Sequence, residues 1–442
     1  MHSHMSLSRA GRANASPADQ NRSTAMAGDP AETPGPSFSS HPRANLTWDP
    51  PLPAQLRGHG VPRGSGLWCC GSGPDLNLEF RSAFPGWIPR PGEVLETRIM
   101  VPSSGPTRYR GRITQCLPEG SSWRFGTVPL HLPYSLAKAL SAWLVFTAGI
   151  PPAEAFRVGF PLRIFRGRLD FRYAVTREDY AQVLELRKEA YTRVGKVGAG
   201  ARPEDMVFAW DNASRILCAF HGNVLVASAA ICFANSEDDV LVGESIFPGN
   251  RFPGPIPPRR TMFEINRLCM HRGYRGGDVR EAIFEQIAGV FLESGRDWFY
   301  CLCDRFLKPI YISLGFDDTG AFGTCLGKEH YLLRAARSRA SSGAGMNLSA
   351  WSAIYASVVM DRTIKGYFRP RLGEWPGLVG RLLLHPFLAF RLRRAESRAF
   401  RAKLSKRSRK DLCLSGPAQS YGAMPEAALR ASPASGAVRE AF

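Results

Sequence analysis

Nowhere in its 442 residues does this chain hold about 18 consecutive uncharged apolar residues, so no segment is expected to span a bilayer as a helix. The opening MHSHMSLSRAGRANASPADQ lacks the apolar stretch of a secretory signal. Ten cysteines are present, but only Cys69-Cys70 and Cys301-Leu302-Cys303 lie close together. Neither set has a second pair at zinc spacing, which argues against a metal site. The thiols are expected to be reduced and mostly in the core, and the chain to be cytoplasmic. Acidic residues are short as well: 38 Asp+Glu face 57 Lys+Arg, for a net charge of +19. Residues 361–410 hold fifteen Lys/Arg and three acidic residues. Such a block favours an anionic lipid surface, an acidic carrier protein or nucleic acid, or is simply a solvated tail.

What is present is a 44% apolar fraction, suited to a globular protein of two domains plus tails. Residues 1–60 are rich in Ser, Pro, Ala and Gly and are expected to be disordered, as is 411–442. From Leu67, short alternating runs (LNLEF, EVLETRIMV, YRGRITQCL, WRFGTVPLHL) predict a small antiparallel barrel over 61–150, closed by the helix SLAKALSAWLVF. An α/β pattern follows over 165–340. Thr176 caps a helix, SRILCAFHGNVLVASAAICF reads as a hairpin, and RTMFEINRLCMH as a strand. Asp278–Ser294 reads as a helix, WFYCLCD as a strand, FLKPIYISLGF as a short helix ending at Gly315, and HYLLRAA as the last strand. A mixed sheet flanked by helices is the expectation. Residues 341–410 read as a basic amphipathic helical extension anchored by aromatics.

The run RGRITQCLPEGSSWRFGTVPLHLP and its closing helix resemble the PilZ domain, a barrel that often binds cyclic diguanylate. The family's RxxxR pair and D/N-x-S-x-x-G turn are not intact here, so a structural or protein-binding barrel is expected. The α/β part resembles the GNAT acyltransferase fold over roughly residues 170–335. The YRGG turn before a helix and the closing YISLGF carry that resemblance. In that family the turn's backbone N–H groups and the helix N-terminus cradle a pyrophosphate. Here Asp278 stands at the required glycine. It is expected to cap the helix, with Glu281 closing a capping box, and to repel pyrophosphate.

Glu264-Ile-Asn-Arg267, Leu186-Arg187 with Tyr191, and Asp211 before the hairpin resemble the GNAT-like acyl-homoserine-lactone and N-acyl amino acid synthases. The Arg that those synthases carry after the turn is missing at ASAAI, and Asp205 and Asp211 are widely spaced, so the long-chain N-acyl amino acid synthase is the closer match. The resemblance implies an N-acyltransferase with acyl carrier protein as donor, a small amine or amino acid as acceptor, and no bound cofactor or metal. It assigns Glu264 and Arg267 to catalysis and Arg187, Asp211 and Tyr311 to the substrate. Arg272, Arg275, Gly276 and Gly277 would hold the donor phosphate, unless the arginines are only a solvated turn. Glu264 acts as a base for the amine or braces the cleft by pairing with Arg187 or Arg267. The rivals are an acetyl-coenzyme A-dependent GNAT enzyme and a non-enzymatic membrane adaptor. The Trp/Phe/Leu and Arg mixture near the C-terminus suits an anionic membrane better than nucleic acid, placing the protein on the membrane's cytoplasmic face.

Overall fold

The computed structural model describes residues 46–56, 67–73, 76–83, 88–102, 104–275, 277–325 and 327–414. Six strands close a barrel: β1 (Leu46–Leu56), β2 (Leu67–Gly73), β3 (Asn77–Ser82), β4 (Val94–Val101), β5 (Gly105–Glu119) and β6 (Ser122–His131). Their order is β1-β2-β3-β6-β5-β4, and every pairing is antiparallel. Alternation explains the closure: in β4, Leu95, Thr97, Ile99 and Val101 point inward and their neighbours outward. Inside, Phe80 stacks on Phe125 and packs against Tyr109, whose hydroxyl hydrogen-bonds to Thr127. Helix α1 (Tyr134–Phe146) buries Leu136, Leu140 and Trp143 on the barrel, the last edge-on to Trp48.

Strand β1 lies in the segment expected to be disordered. Its prolines hid it, yet Leu46, Trp48, Leu52 and Ala54 are buried. The register shift between Thr47 and Leu52 falls on the proline pair, where a ladder N–H is missing anyway.

Beyond α2 (Pro152–Arg157), a seven-stranded sheet is built from β7 (Asp170–Tyr173), β8 (Ser214–His221), β9 (Val224–Phe233), β10 (Met262–Met270), β11 (Trp298–Asp304), β12 (Asp317–Cys325) and β13 (Lys328–Ala336). The order is β12-β13-β11-β10-β9-β8-β7, with β10 and β11 the parallel pair in an otherwise antiparallel sheet. Strand β12 escaped the sequence reading because it is an exposed edge with little apolar alternation. Helix α3 (Arg177–Arg193) starts at Thr176, whose hydroxyl accepts the Asp179 N–H. It covers one face of the sheet at Ile216, Cys218 and Phe220. Helix α4 (Val279–Glu293) lies with Phe263, Ile265 and Phe299 on the other. The short α5 (Lys308–Ser313) is followed by Gly315 at φ 94°, a left-handed stop.

Helices α6 (Arg337–Ser342) and α7 (Leu348–Ile364) are no loose extension. Trp351 and Tyr355 of α7 are buried, donating to the Ala340 and Leu314 carbonyls. Helix α8 (Trp375–Leu414) then runs past α1, where Arg163 pairs with Glu396 and Tyr134 packs on Phe400.

Candidate active site

The parallel pairing of β10 and β11 ends at Ile265 opposite Cys301. On the other side, the pairing with β9 slips between Asn266 and Cys269. Arg267 sits in that bulge at φ 52°, a strained conformation for a residue with a side chain. The two strands therefore part, and among the described residues the β11-facing edge of β10 beyond Ile265 has no partner strand. A cleft of about 760 Å³ opens there. It joins the two faces of the sheet: Arg280 and Phe284 line it on the α4 side, Tyr191, Phe208, Val242 and Ile246 on the other.

Glu264 does not reach this cleft, although Ile265, Asn266 and Arg267 beside it do. It is fully buried, and its Oε1 accepts the Gly243 N–H at 2.6 Å. It pairs with neither Arg187 nor Arg267. The turn that it grips, Val242–Ile246, forms the cleft wall, and the neighbouring Glu244 ties the same turn to Arg259. Placed this way, the carboxyl acts as a strut for the cleft wall. Burial raises its pKa to about 8, against the lowering contacts of Asn266 and the Gly243 and Val242 N–H groups. Because the folded value lies above the unfolded one, the stability it contributes is complete below about pH 4.3 and is lost as pH rises toward 8. Glu264→Gln should leave turnover within a few-fold of the parent and flatten the alkaline fall in stability. Urea titrations from pH 5 to 9 check this; a parallel pH dependence in parent and variant would remove the strut.

Arg187 and Asp211, expected to contact substrate, face each other instead. Two bonds of 2.6 and 2.8 Å join them, and both are buried away from the cleft lining. Asp211 also accepts from the Tyr180 hydroxyl and the Phe208 N–H. Burial pushes its pKa up, but Arg187, the Tyr180 hydroxyl and the Phe208 N–H together outweigh it and the net direction is down. The pair fixes the turn that carries Phe208. The guanidinium of Arg267 lies 3.5 Å over that ring and donates to the Tyr191 hydroxyl at 3.2 Å. Arg267 has no carboxylate partner among the described residues, and its Nε has no acceptor.

At the turn, Asp278 is the residue before α4, but its side chain makes no cap. Its carboxylate accepts the Phe165 N–H at 2.8 Å, and Glu281 turns to Arg280 rather than closing a box. The chain leaving the barrel lies directly on this turn: a Cβ at Gly277 would come within 2.8 Å of the Leu162 carbonyl oxygen. Gly276 lies outside the described residues. Arg275 lines the cleft without an acidic partner among the described residues, whereas Arg272 is exposed, 3.9 Å from Glu189. Arg193 adds a further cation; burial and the Arg275 charge lower its pKa. Tyr311 lines the cleft where the strands part, edge-on to Phe284 and Phe316, and burial raises its pKa well above the usual phenol.

The sequence reading missed a cluster on the cleft wall. Asp304 ends β11, His330 stands opposite it on β13, and Lys196 follows α3. Lys196 Nζ and His330 Nε2 lie 2.9 and 3.0 Å from Asp304 Oδ1, and 3.0 Å from each other. His330 Nδ1 lies 3.0 Å from the Lys328 carbonyl, which can only accept, so Nδ1 carries a proton. Burial pushes the Asp304 pKa up, but His330 and Lys196 hold it down to about 2.

No family model matches the sequence, and no curated protein matches it. Among solved structures, BjaI, a CoA-dependent acyl-homoserine lactone synthase solved with SAM and isopentyl-CoA, is 16% identical. Its TM-score is 0.34, with 49% of this chain and 99% of that one covered. FeeM, an N-acyl amino acid synthase from uncultured soil microbes, is 15% identical, with a TM-score of 0.31 and coverage of 38% and 91%. An acyl-CoA N-acyltransferase from Pseudomonas aeruginosa is 16% identical, with a TM-score of 0.28 and coverage of 38% and 99%.

Proposed function

We propose that this chain is a GNAT-like N-acyltransferase. It moves a fatty acyl group from the phosphopantetheine thioester of acyl carrier protein to the amine of an amino acid or a similar carboxylate-bearing amine. One observation carries the reading: a cleft passes between parting parallel strands, lined by arginines without carboxylate partners among the described residues, Arg267 at the bulge and Arg275 and Arg305 toward its rim. Arg267 is suited to the acceptor carboxylate, held flat by Phe208 and Tyr191. Arg275 and Arg305 are suited to the single phosphate of the pantetheine arm. A pyrophosphate has less to gain here, since the Leu162 carbonyl and the Asp278 carboxylate crowd the turn before α4. Exposed Phe306 beside Arg305 adds an apolar contact for an acidic carrier.

The amine nitrogen attacks the thioester carbonyl carbon, the C–N bond forms, and the C–S bond breaks to release a thiolate. N–H groups on the unpartnered edge of β10 are available to the oxyanion. In its neutral, Nδ1-protonated form His330 takes the amine's proton on Nε2 in place of its contact with Lys196 Nζ, and the resulting imidazolium, lying against Asp304, hands that proton on to the thiolate.

The purified full chain is tested with equal concentrations of acyl carrier protein thioester and acyl-CoA, across a panel of amino acids and carboxylate-free amines. Faster transfer from the carrier to amino acids is expected. Arg267→Ala should raise the amino-acid KM by about 10- to 100-fold, the value of a charged hydrogen bond, and leave carboxylate-free amines unaffected. Preference for acyl-CoA would overturn the donor assignment, and no acylation from either donor would overturn the function.

A further inference from the structure

The outer face of α8 is independent of the cleft and of the reaction assigned to it. Val379, Leu383, Phe387 and Phe390 are spaced four, four and three residues apart, which stacks them as one stripe on a helix. Leu383 is 77% exposed, Phe387 58% and Phe390 60%. The opposite side of the helix holds the inward residues: Leu378 and Leu388 are buried, and Glu396 is drawn toward Arg163. Continuing the stripe by the same steps gives Arg394, Arg398 and Arg401, with Arg391 and Arg393 beside them. None of the five has a carboxylate partner among the described residues, and Arg391 lies over the Phe387 ring. From Trp375 to Ser405 the helix carries a single acidic residue, and that one faces inward. More apolar surface lies exposed just before the helix, at Ile364, Tyr367 and Leu372.

We infer that this face of α8 is a membrane-docking surface for an anionic leaflet, with the apolar stripe inserted among acyl chains and the arginines on headgroup phosphates. A row of bare aromatic and aliphatic side chains running into unpaired arginines, with no carboxylate facing outward, has the complementarity of an anionic lipid interface. Among the described residues no helix is long and apolar enough to cross a membrane, so the helix lies on the surface. A second copy of the chain is the poorer occupant, because it would set five arginines against five.

The test uses the full chain and vesicles of phosphatidylcholine, with or without phosphatidylglycerol, in co-sedimentation at low and high salt. Circular dichroism, thermal unfolding and gel filtration serve as controls on every variant. The parent should pellet with the anionic vesicles and keep part of that binding in high salt. Arg394→Glu/Arg398→Glu/Arg401→Glu should weaken anionic binding by about 100-fold or more, since each arginine near such a leaflet contributes roughly fivefold. Leu383→Ser/Phe387→Ser/Phe390→Ser should lose the salt-resistant part while remaining folded. A parent that ignores anionic vesicles overturns the inference, as does a folded apolar-stripe variant that binds like the parent. If the apolar-stripe variant instead turns a dimer into a monomer with vesicle binding unchanged, the face belongs to a second copy and the membrane assignment falls.

Discussion

His330→Ala should lower turnover by about 10²- to 10⁴-fold, the range for loss of a positioned general base, with little change in the KM of either substrate. Three groups on the cleft wall compete for that role, and their surroundings separate them. Asp304 is held to about pKa 2 by His330 and Lys196, so it is a weak base. Lys196 is already engaged as the cationic partner of Asp304. The Lys328 carbonyl fixes a proton on His330 Nδ1, and Nε2, 3.0 Å from Lys196 Nζ, becomes the acceptor once the substrate amine replaces that contact. The residual Asp304–Lys196 pair keeps the wall in place, so the variant should unfold near the parent's midpoint. Added imidazole should restore part of the rate. Turnover within threefold of the parent would hand the proton to water and remove His330 from the mechanism.

The sequence made some of this legible and concealed the rest for definite reasons. The E-x-x-R strand, the turn and the following helix are contiguous, so their neighbours in space are also neighbours in sequence. The bulge that turns Arg267 into the cleft is a backbone event, and nothing in Glu264-Ile-Asn-Arg267 announces that the last three residues will emerge while Glu264 stays buried. The fate of Asp278 was hidden by distance. A helix-start Asp ordinarily caps its own helix, but the Phe165 N–H arrives from the chain that leaves the barrel, 113 residues earlier. Asp304 and His330 were each visible at the edge of a predicted strand. Their meeting depends on β11 and β13 being neighbours in a register that sets those two residues opposite. Without the missed edge strand β12 between them in sequence, that order could not be read. Arg187 and Asp211 stand out in the sequence as separate ligands for substrate, and only burial turns the two charges into a pair.

That pair supports the second large effect. Arg187→Met should destabilise the fold by about 3–5 kcal/mol, since it strands Asp211 as a buried, uncompensated charge. The loss should shrink on acidification. In the parent, Asp211 titrates below its ordinary value, so its contribution is present above about pH 4 and fades as pH falls through the folded pKa. In the variant, the cation that held that pKa down is gone, and protonation relieves the stranded charge, so the two unfolding curves should converge toward low pH. Adding Asp211→Asn should recover most of the stability at neutral pH. The amide carbonyl still accepts from the Tyr180 hydroxyl and the Phe208 N–H, and no charge remains to be compensated. A merely structural pair predicts one further result. Folded double variant should keep Phe208 under Arg267 and therefore turn over amino acids with a KM near the parent's, whereas a substrate-binding Arg187 would leave KM raised even after stability is restored. Chemical denaturation at pH 4 and 7, followed by KM on the same preparations, distinguishes the two; an Arg187→Met chain as stable as the parent would show that Asp211 finds another partner.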